Sequence, residues 1–150
     1  DGKIALCVEE KNRSWCSSSS ANDQRAVTIE CASDLNHPYA MTTAVYNSLV
    51  KLCTDICKRN GKKKLLWLGD KNKTLNYSPK SDEMVLTVHR WFANKSCPGD
   101  WLYSRLGDLA SKVTAALGGL VFRFDRLGFI PCPQKLVGCQ EPEGSFQQSG

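Results

Sequence analysis

Strand-like apolar runs alternate with segments of helical periodicity along the chain, and this alternation constrains the fold more than any other feature. Residues 3–8, 26–31 and 65–68 are short runs of aliphatic and β-branched side chains, which predict strands, the last two of them buried. Residues 42–59 instead carry apolar side chains at helical spacing, namely Val45, Leu49, Leu52 and Ile56. Alternating strands and helices predict an α/β domain in which helices flank a single mixed β-sheet.

Capping residues mark the ends of the two longest helices. Thr42 or Thr43 can cap the first helix, and Asn-Gly at residues 60–61 supplies a left-handed stop. A second helix opens at residues 97–100, Cys-Pro-Gly-Asp, with the proline in its first turn and an aspartate that the helix dipole favours. Its apolar stripe consists of Leu102, Leu106, Leu109, Val113 and Leu117.

Two polar stretches, residues 12–24 and 70–80, predict loops. The first contains four consecutive serines, and we expect its large apolar residue, Trp15, to pin it to the body of the domain. Gly-Gly at residues 118–119 ends the second long helix, and the character of the chain changes beyond it. We therefore divide the chain into a domain of residues 1–117 and a C-terminal extension of residues 118–150.

The charge and the apolar runs exclude two classes of partner. The formal charge of +5 suits an anionic polymer, but its densest run, residues 58–64, straddles a predicted helix end, where cations stabilise the helix dipole. That run is either a helix-capping feature or a surface that attracts an anionic cell wall, and we expect no nucleic acid. The longest apolar run is far shorter than the roughly 20 residues that span a bilayer, so we expect no membrane span.

The eight cysteines do not form a recognisable metal or disulfide motif. They include no Cys-x-x-Cys pair, which argues against zinc-finger and thioredoxin-like sites. Cys53 and Cys57 lie one helical turn apart on the apolar face of the first helix, which predicts buried free thiols. Cys132 and Cys139 are close enough in sequence to pair.

His89 and Cys97 are candidate metal ligands that bracket a short connecting segment. A hydrolytic zinc ion takes three protein ligands and leaves one position for water, and histidine and cysteine are both suitable. Lys95 lies two residues before Cys97, where its ammonium group could reach an oxyanion. Spacing alone favours structural roles, because a lone His and a lone Cys eight positions apart are usually not ligands.

The sequence around these residues changes that interpretation. Residues 89–102 read His-Arg-Trp-Phe-Ala-Asn-Lys-Ser-Cys-Pro-Gly-Asp-Trp-Leu. This segment resembles the zinc-binding segment of N-acetylmuramoyl-L-alanine amidases, the family of phage T7 lysozyme, AmpD and peptidoglycan recognition proteins. The resemblance is greatest to endolysins and autolysins. It implies the amidase (peptidoglycan recognition protein-like) fold, a Zn²⁺ cofactor, His89 and Cys97 as ligands, and Lys95 as the catalytic residue that stabilises the transition state.

The resemblance extends towards the N-terminus. Val27-Thr28-Ile29-Glu30 resembles a family strand whose acidic residue acts as a general base, so Glu30 is a second catalytic candidate. The alternative is a structural role, because a carboxylate in an apolar strand needs a partner or a function. Trp15 and Asn22 match positions before that strand and are candidates for substrate binding.

One departure from the family pattern limits what the chain can do by itself. The family's first zinc histidine lies on an opening strand that would precede Asp1, so we expect the third ligand upstream and the first strand of the sheet missing. His37 is the other histidine, and we expect it to be an exposed loop residue rather than a substitute ligand. An uncovered sheet edge would also allow self-association.

These observations predict zinc-dependent hydrolysis of the N-acetylmuramoyl-L-alanine amide bond of peptidoglycan, at the cell wall or outside the cell, with weak or no activity in this chain alone. Residues 1–20 do not resemble a signal peptide. Two alternatives are a non-catalytic module that binds muropeptides and an inactive piece of an active enzyme. Retention of His89, Lys95 and Cys97 together favours the enzyme.

Overall fold

The computed structural model describes residues 1–118 and the backbone of residues 130–131. Its elements in chain order are β1 (Ala5–Leu6), α1 (Ser20–Asp23), α2 (Thr43–Arg59), β2 (Lys64–Leu66), α3 (Lys71–Leu75), β3 (Glu83–Val85), a 3-10 turn (His89–Trp91), α4 (Asp100–Tyr103), α5 (Leu106–Gly118) and β4 (Ile130–Pro131). The α/β class expected from the sequence is confirmed. The expected C-terminal extension, with Cys132 and Cys139, lies outside the described residues apart from Gly118 and the backbone of β4.

The core is formed by α2, α5 and β2. The apolar face of α2 packs against α5, and α5 also packs against β2. Leu109 and Val113 of α5 are 1% and 0% exposed. Cys53 and Cys57 are buried free thiols of α2, as predicted, and burial raises the pKa of Cys53 to about 12. The spacing of apolar residues in α2 therefore predicted the main packing face correctly.

The ends of α2 are also as predicted. The Thr42 side chain accepts a hydrogen bond from the backbone N–H of Val45 at 3.3 Å. Gly61 follows the helix with a φ of +66°, the left-handed conformation expected of this stop.

Strand pairing differs from the expected single mixed sheet. The described strands form two separate parallel pairs, β1 with β4 and β2 with β3. In the second pair Leu65 lies opposite Met84. Self-association through an uncovered edge stays a prediction.

The run at residues 26–31 was expected to be a buried strand, and this is wrong. The segment has no regular secondary structure, and Val27, Ile29 and Glu30 are exposed. A β-branched run becomes a strand when a neighbouring strand pairs with it, and the described backbone provides no such neighbour for these residues.

Trp15 does not pin its loop to the body, contrary to expectation. Its side chain is 81% exposed and stacks on the guanidinium group of Arg13, whose Cζ lies 3.7 Å from the ring centroid. An arginine from the same loop therefore takes the place of the apolar pocket that the prediction assumed.

Three local predictions also need correction. The polar stretches contain short helices, α1 and α3, whose starts are capped by Ser19 and Asp70. The expected helix from residue 97 to 117 is divided into α4 and α5, and α4 begins at Asp100 after a Gly99 cap rather than at the proline.

In the described part of the chain, no helix has the length and apolar character needed to cross a membrane.

Candidate functional site

His89 lies where the body of the domain meets the N-terminal loop. It follows the buried residue Val88 and begins the 3-10 turn His89–Trp91, whose Trp91 is buried and stacks on Trp67 with ring centroids 5.1 Å apart. The imidazole itself is partly exposed, and its Nε2 lies 3.1 Å from the Oγ of Ser18. The stacked tryptophans thus support the turn that carries His89, and the Nε2 atom of His89 faces the serine-rich loop.

Hydrogen bonds give that loop a defined shape. The buried carboxylate of Asp23 accepts bonds from the backbone N–H and the hydroxyl of Ser17, at 3.1 and 2.6 Å. Asn22 donates to Ser17 Oγ at 3.1 Å and accepts from Thr87 Oγ1 at 3.0 Å, which ties the loop to the segment before His89. Ser18 has a φ of +60°, a conformation that residues other than glycine seldom adopt.

Asn22 therefore has a structural use in the positioning of Ser18, and a contact with substrate stays a prediction. Sequence reasoning missed Ser17, Ser18 and Asp23, because four equivalent serines give no signal about which of them faces the histidine. A serine that can cap a short helix was the available signal of local order, and Ser19 does accept a hydrogen bond from the backbone N–H of Asn22.

Glu30 interacts electrostatically with His89, although the two residues are 59 positions apart in the sequence. The residue is exposed at the surface, but protein atoms around its carboxyl group withdraw it from water, which raises the pKa of Glu30, and His89 opposes that rise. A carboxyl group with a raised pKa is a better proton acceptor than an ordinary surface glutamate. Glu30 and His89 therefore interact electrostatically although Glu30 does not lie on a strand, and its role as a general base stays a prediction.

Arg90 organises the segment that carries Lys95 and Cys97. Its backbone N–H donates to the carbonyl oxygen of Cys97 at 3.1 Å, and its guanidinium group donates to the carbonyl oxygens of Ser96 and Cys97. The same guanidinium group donates to Asp100 Oδ1 at 2.8 Å. Arg90 therefore closes residues 90–97 into a loop, a role that sequence reasoning missed because the arginine was treated as part of a motif.

Asp100 links this loop to the loop around His37. His37 Nε2 lies 2.8 Å from Asp100 Oδ2, and these two contacts, first with His37 and then with Arg90, lower the pKa of Asp100. Gly99 has a φ of +80°, and a Cβ there would lie 2.8 Å from the Cβ of Tyr39, so the two loops approach closely. His37 is an exposed loop residue, as expected, with Asp100 as its partner.

Lys95 and Cys97 differ in what they can offer to a reaction. Lys95 is exposed on the loop that Arg90 closes, and its backbone N–H donates to Ala93 O at 2.9 Å. Cys97 is half-buried and disulfide-bonded. A disulfide sulfur is not a thiolate, so Cys97 can act as a zinc ligand only after reduction.

The described residues do not fit a complete zinc site. In residues 1–118 no three His, Cys, Asp or Glu side chains converge on one point. His89 offers one ring nitrogen, Cys97 is oxidised, and Glu30 interacts electrostatically with His89. The site as it stands offers an imidazole and a glutamate that interact electrostatically, while a catalytic metal would need further ligands.

Comparison with known proteins agrees with the resemblance of residues 89–102. The family model described as N-acetylmuramoyl-L-alanine amidase, Amidase_2, matches residues 1–100. No curated protein and no solved structure matches the chain. The matched region includes Ser18, Glu30, His89 and Cys97, and it covers two thirds of the chain. The chain belongs to the N-acetylmuramoyl-L-alanine amidase family.

Proposed function

We propose that the chain hydrolyses the amide bond between N-acetylmuramic acid and L-alanine in peptidoglycan, as part of a cell-wall lytic protein of the endolysin or autolysin type that acts outside the cell. The observation that carries this proposal is the contact of His89 Nε2 with Ser18 Oγ at 3.1 Å, beside an electrostatic interaction between His89 and Glu30. These residues come from distant parts of the chain, within a region that matches the amidase family.

The chain's own residues can perform the proton transfers of an amide hydrolysis. Glu30 accepts a proton from the attacking water, whose oxygen bonds to the amide carbon. Lys95 donates a hydrogen bond to the oxygen that becomes negatively charged in the tetrahedral intermediate. The carbon–nitrogen bond then breaks, and the proton held by Glu30 passes to the leaving amine of L-alanine.

Zinc dependence is a further part of the proposal. The ligands would be His89, the thiolate of Cys97 once its disulfide is reduced, and a third group that residues 1–118 do not supply. The incomplete set in residues 1–118 is the reason to expect weak activity, because losing one ligand weakens metal affinity greatly. Zinc stoichiometry measured with and without a thiol reductant tests this, with His89→Ala and Cys97→Ser as variants. Stoichiometric zinc in the oxidised chain would contradict the ligand set.

Digestion of purified peptidoglycan tests the reaction itself. Mass spectrometry should detect stem peptides with a free L-alanine amino group in the presence of reductant and zinc. Glu30→Gln should lower the rate about 100-fold, the smaller end of the usual loss for a general base. Glu9→Gln, at an exposed glutamate that pairs with Lys11, is the matched control and should retain the rate.

A binding module is the second candidate, and the oxidised state of Cys97 favours it. Muropeptide binding without any product, in the presence of zinc and reductant, would support this candidate and contradict hydrolysis by the chain. If the unaltered protein and Glu30→Gln released equal amounts of product, Glu30 would not be the proton acceptor.

A further inference from the structure

Residues 26–31 have the side-chain pattern of a strand although they form no regular secondary structure. Ala26 and Thr28 are half-buried, whereas Val27 and Ile29 are 38% and 36% exposed. Side chains that alternate between two faces with a period of two residues are characteristic of a β-strand. The segment therefore lacks only the backbone pairing that defines a strand.

The backbone of this segment has no backbone hydrogen-bond partner within residues 1–118. The flanking bonds are those of Arg25 N–H to Asn22 O at 3.0 Å and of Asp34 N–H to Ala40 O at 2.7 Å, and none lies between them. A strand-like backbone with unpaired N–H and C=O groups is a template on which another chain can add a strand.

Solvent reaches the first five residues of the segment. Its exposed positions include Glu30, and a cleft of about 490 Å³ lies between its beginning and residues 10–13, with Ala26 and Val27 in the lining. The other end of the segment is held in place, because Cys31 is half-buried and packs against the core. Residues 26–30 are thus an exposed stretch that is anchored at one end.

The apolar side chains of the segment complement a second copy of the same segment. When two copies run antiparallel with Thr28 opposite Thr28, Val27 of each copy lies opposite Ile29 of the other. Both of these side chains are on the exposed face, so the register forms two cross-strand pairs of β-branched residues, which stabilise a sheet. The segment supplies both members of each pair and needs no other protein.

The charges of the segment favour the same register. Arg25 and Glu30 are the charged residues of positions 25–31. A parallel, in-register pair would place each of them beside its own copy, and like charges opposite each other destabilise a sheet. In the antiparallel register Glu30 lies opposite Ala26, and Arg25 lies opposite Cys31. No like charges then face each other.

We propose that residues 26–30 of two copies of this chain pair as antiparallel strands centred on Thr28, and that this pairing makes the segment a strand. The pair forms about four to six backbone hydrogen bonds and removes Val27 and Ile29 of both copies from water. Such an interface is smaller than the roughly 1,200 Å² of stable complexes, so we expect a weak dimer with a Kd on the order of 100 µM. The proposal does not depend on the amidase reaction.

Two measurements on the unaltered full chain test the pairing. Sedimentation velocity between about 5 and 500 µM should show a monomer that becomes a dimer as the concentration rises. Amide hydrogen exchange over the same range should slow at residues 26–30 and stay constant in α5. Denaturing mass spectrometry of the same samples identifies any dimer that is linked by a disulfide bond instead.

Charges introduced at two positions test the register. Val27→Lys or Ile29→Glu alone places a charge opposite an apolar side chain and should weaken association about tenfold. The double variant places an ammonium group opposite a carboxylate and should restore association to within about threefold of the unaltered chain. Leu35→Lys is the matched control, because Leu35 is 76% exposed but lies outside the segment, and it should leave association unchanged.

Several outcomes would overturn this inference. A monomer at every concentration, a dimer that depends on a disulfide bond, or a dimer without slower exchange at residues 26–30 would each do so, and none of these results needs a variant to fold. A double variant that associates as weakly as the single variants would overturn the antiparallel register. Concentration-dependent pairing in a chain that cuts no peptidoglycan would uphold the inference while contradicting the amidase reaction.

Discussion

Residues 1–40 and residues 41–118 differ sharply in how they are held together. Every buried apolar side chain of the described residues belongs to the second region, beginning at Met41. Six of the seven large apolar side chains that are exposed in this part of the protein belong to the first region, including Trp15 and Leu35. The second region has a core, whereas the first is held mainly by polar contacts.

This difference matters because the candidate site takes residues from both regions. His89 belongs to the packed region, but Ser18, which contacts it, and Glu30, which interacts with it electrostatically, belong to the N-terminal region. Global stability will therefore be determined by the helices and β2, while the geometry of the site will depend on a few hydrogen bonds. Variants that affect the two regions separately can test this.

The largest expected effect is a cavity in the core. Leu109→Ala should lower the free energy of unfolding by about 2–5 kcal/mol, because Leu109 is 1% exposed and its neighbours cannot fully close the space. Leu35→Ala removes the same atoms from a residue that is 76% exposed and should change stability by less than about 0.5 kcal/mol. Urea unfolding measures both, and similar losses would refute the contrast between the two regions.

A smaller effect is expected where the first region contacts α2. Gly2 has a φ of +74°, and a Cβ there would lie 2.9 Å from Ala44 O and from Ser48 Oγ, whose hydroxyl donates to Gly2 O at 2.6 Å. Gly2→Ala should cost about 1–3 kcal/mol through strain and overpacking.

Gly61→Ala provides the control for that substitution. Gly61 has a similar φ of +66° but nothing within 4 Å of an added Cβ, so it should cost only the backbone strain of about 1–2 kcal/mol. The difference in thermal unfolding between the two variants isolates the contact with α2. Equal losses would mean that this contact does not hold the N-terminus in solution.

The sequence predicted the packed region well for a physical reason. The helical spacing of Leu49 and Ile56 reflects burial on one face, and that face meets α5 in the structure. Residues 26–31 were mispredicted because β-branched residues favour a strand only when a neighbouring strand is present to pair with them. Local pattern therefore succeeds where a segment creates its own hydrogen bonds and fails where a partner must be supplied.

The candidate site was also predictable only in part, because one segment could be recognised from its sequence whereas contacts between distant segments could not. His89, Lys95 and Cys97 were proposed as site residues from the sequence of one continuous segment, and their roles stay predictions. The disulfide state of Cys97, the approach of Ser18 and the loop closure by Arg90 depend on contacts over distance in the chain. No single-sequence spacing encodes those contacts, so they required the structure.

Another substitution, at Thr87, tests whether the loop at residues 17–24 depends on one hydrogen bond to the packed region. Thr87→Val removes the hydroxyl that donates to Asn22 at 3.0 Å and should cost about 0.5–1.5 kcal/mol. Amide hydrogen exchange should accelerate at residues 17–24 and stay unchanged in α5. Thr54→Val, which removes a hydroxyl bonded to Val50 O inside α2, should leave exchange at residues 17–24 unchanged. Acceleration in α5 as well would show that the two regions unfold together.

The smallest expected effect is the release of the first region by acid. Arg59 donates to both carboxylate oxygens of Glu10 at 2.7 Å, and these bonds hold the pKa of Glu10 below its ordinary value. A lowered pKa stabilises the folded state above about pH 4.5, and the stabilisation is lost as the pH falls through the folded-state pKa. Because the pair is partly exposed, its contribution should be under about 1 kcal/mol and should decrease with salt.

The amide chemical shifts of residues 9–13 should therefore change between about pH 4.5 and 3 while those of α5 stay constant. Glu10→Gln cannot ionise at position 10, so in that variant residues 9–13 should change less than in the unaltered protein, and the remaining change should come from Glu9. If α5 shifts at the same pH as residues 9–13 in the unaltered protein, the two regions respond to acid as one unit. The difference in packing would then have no counterpart in their stability.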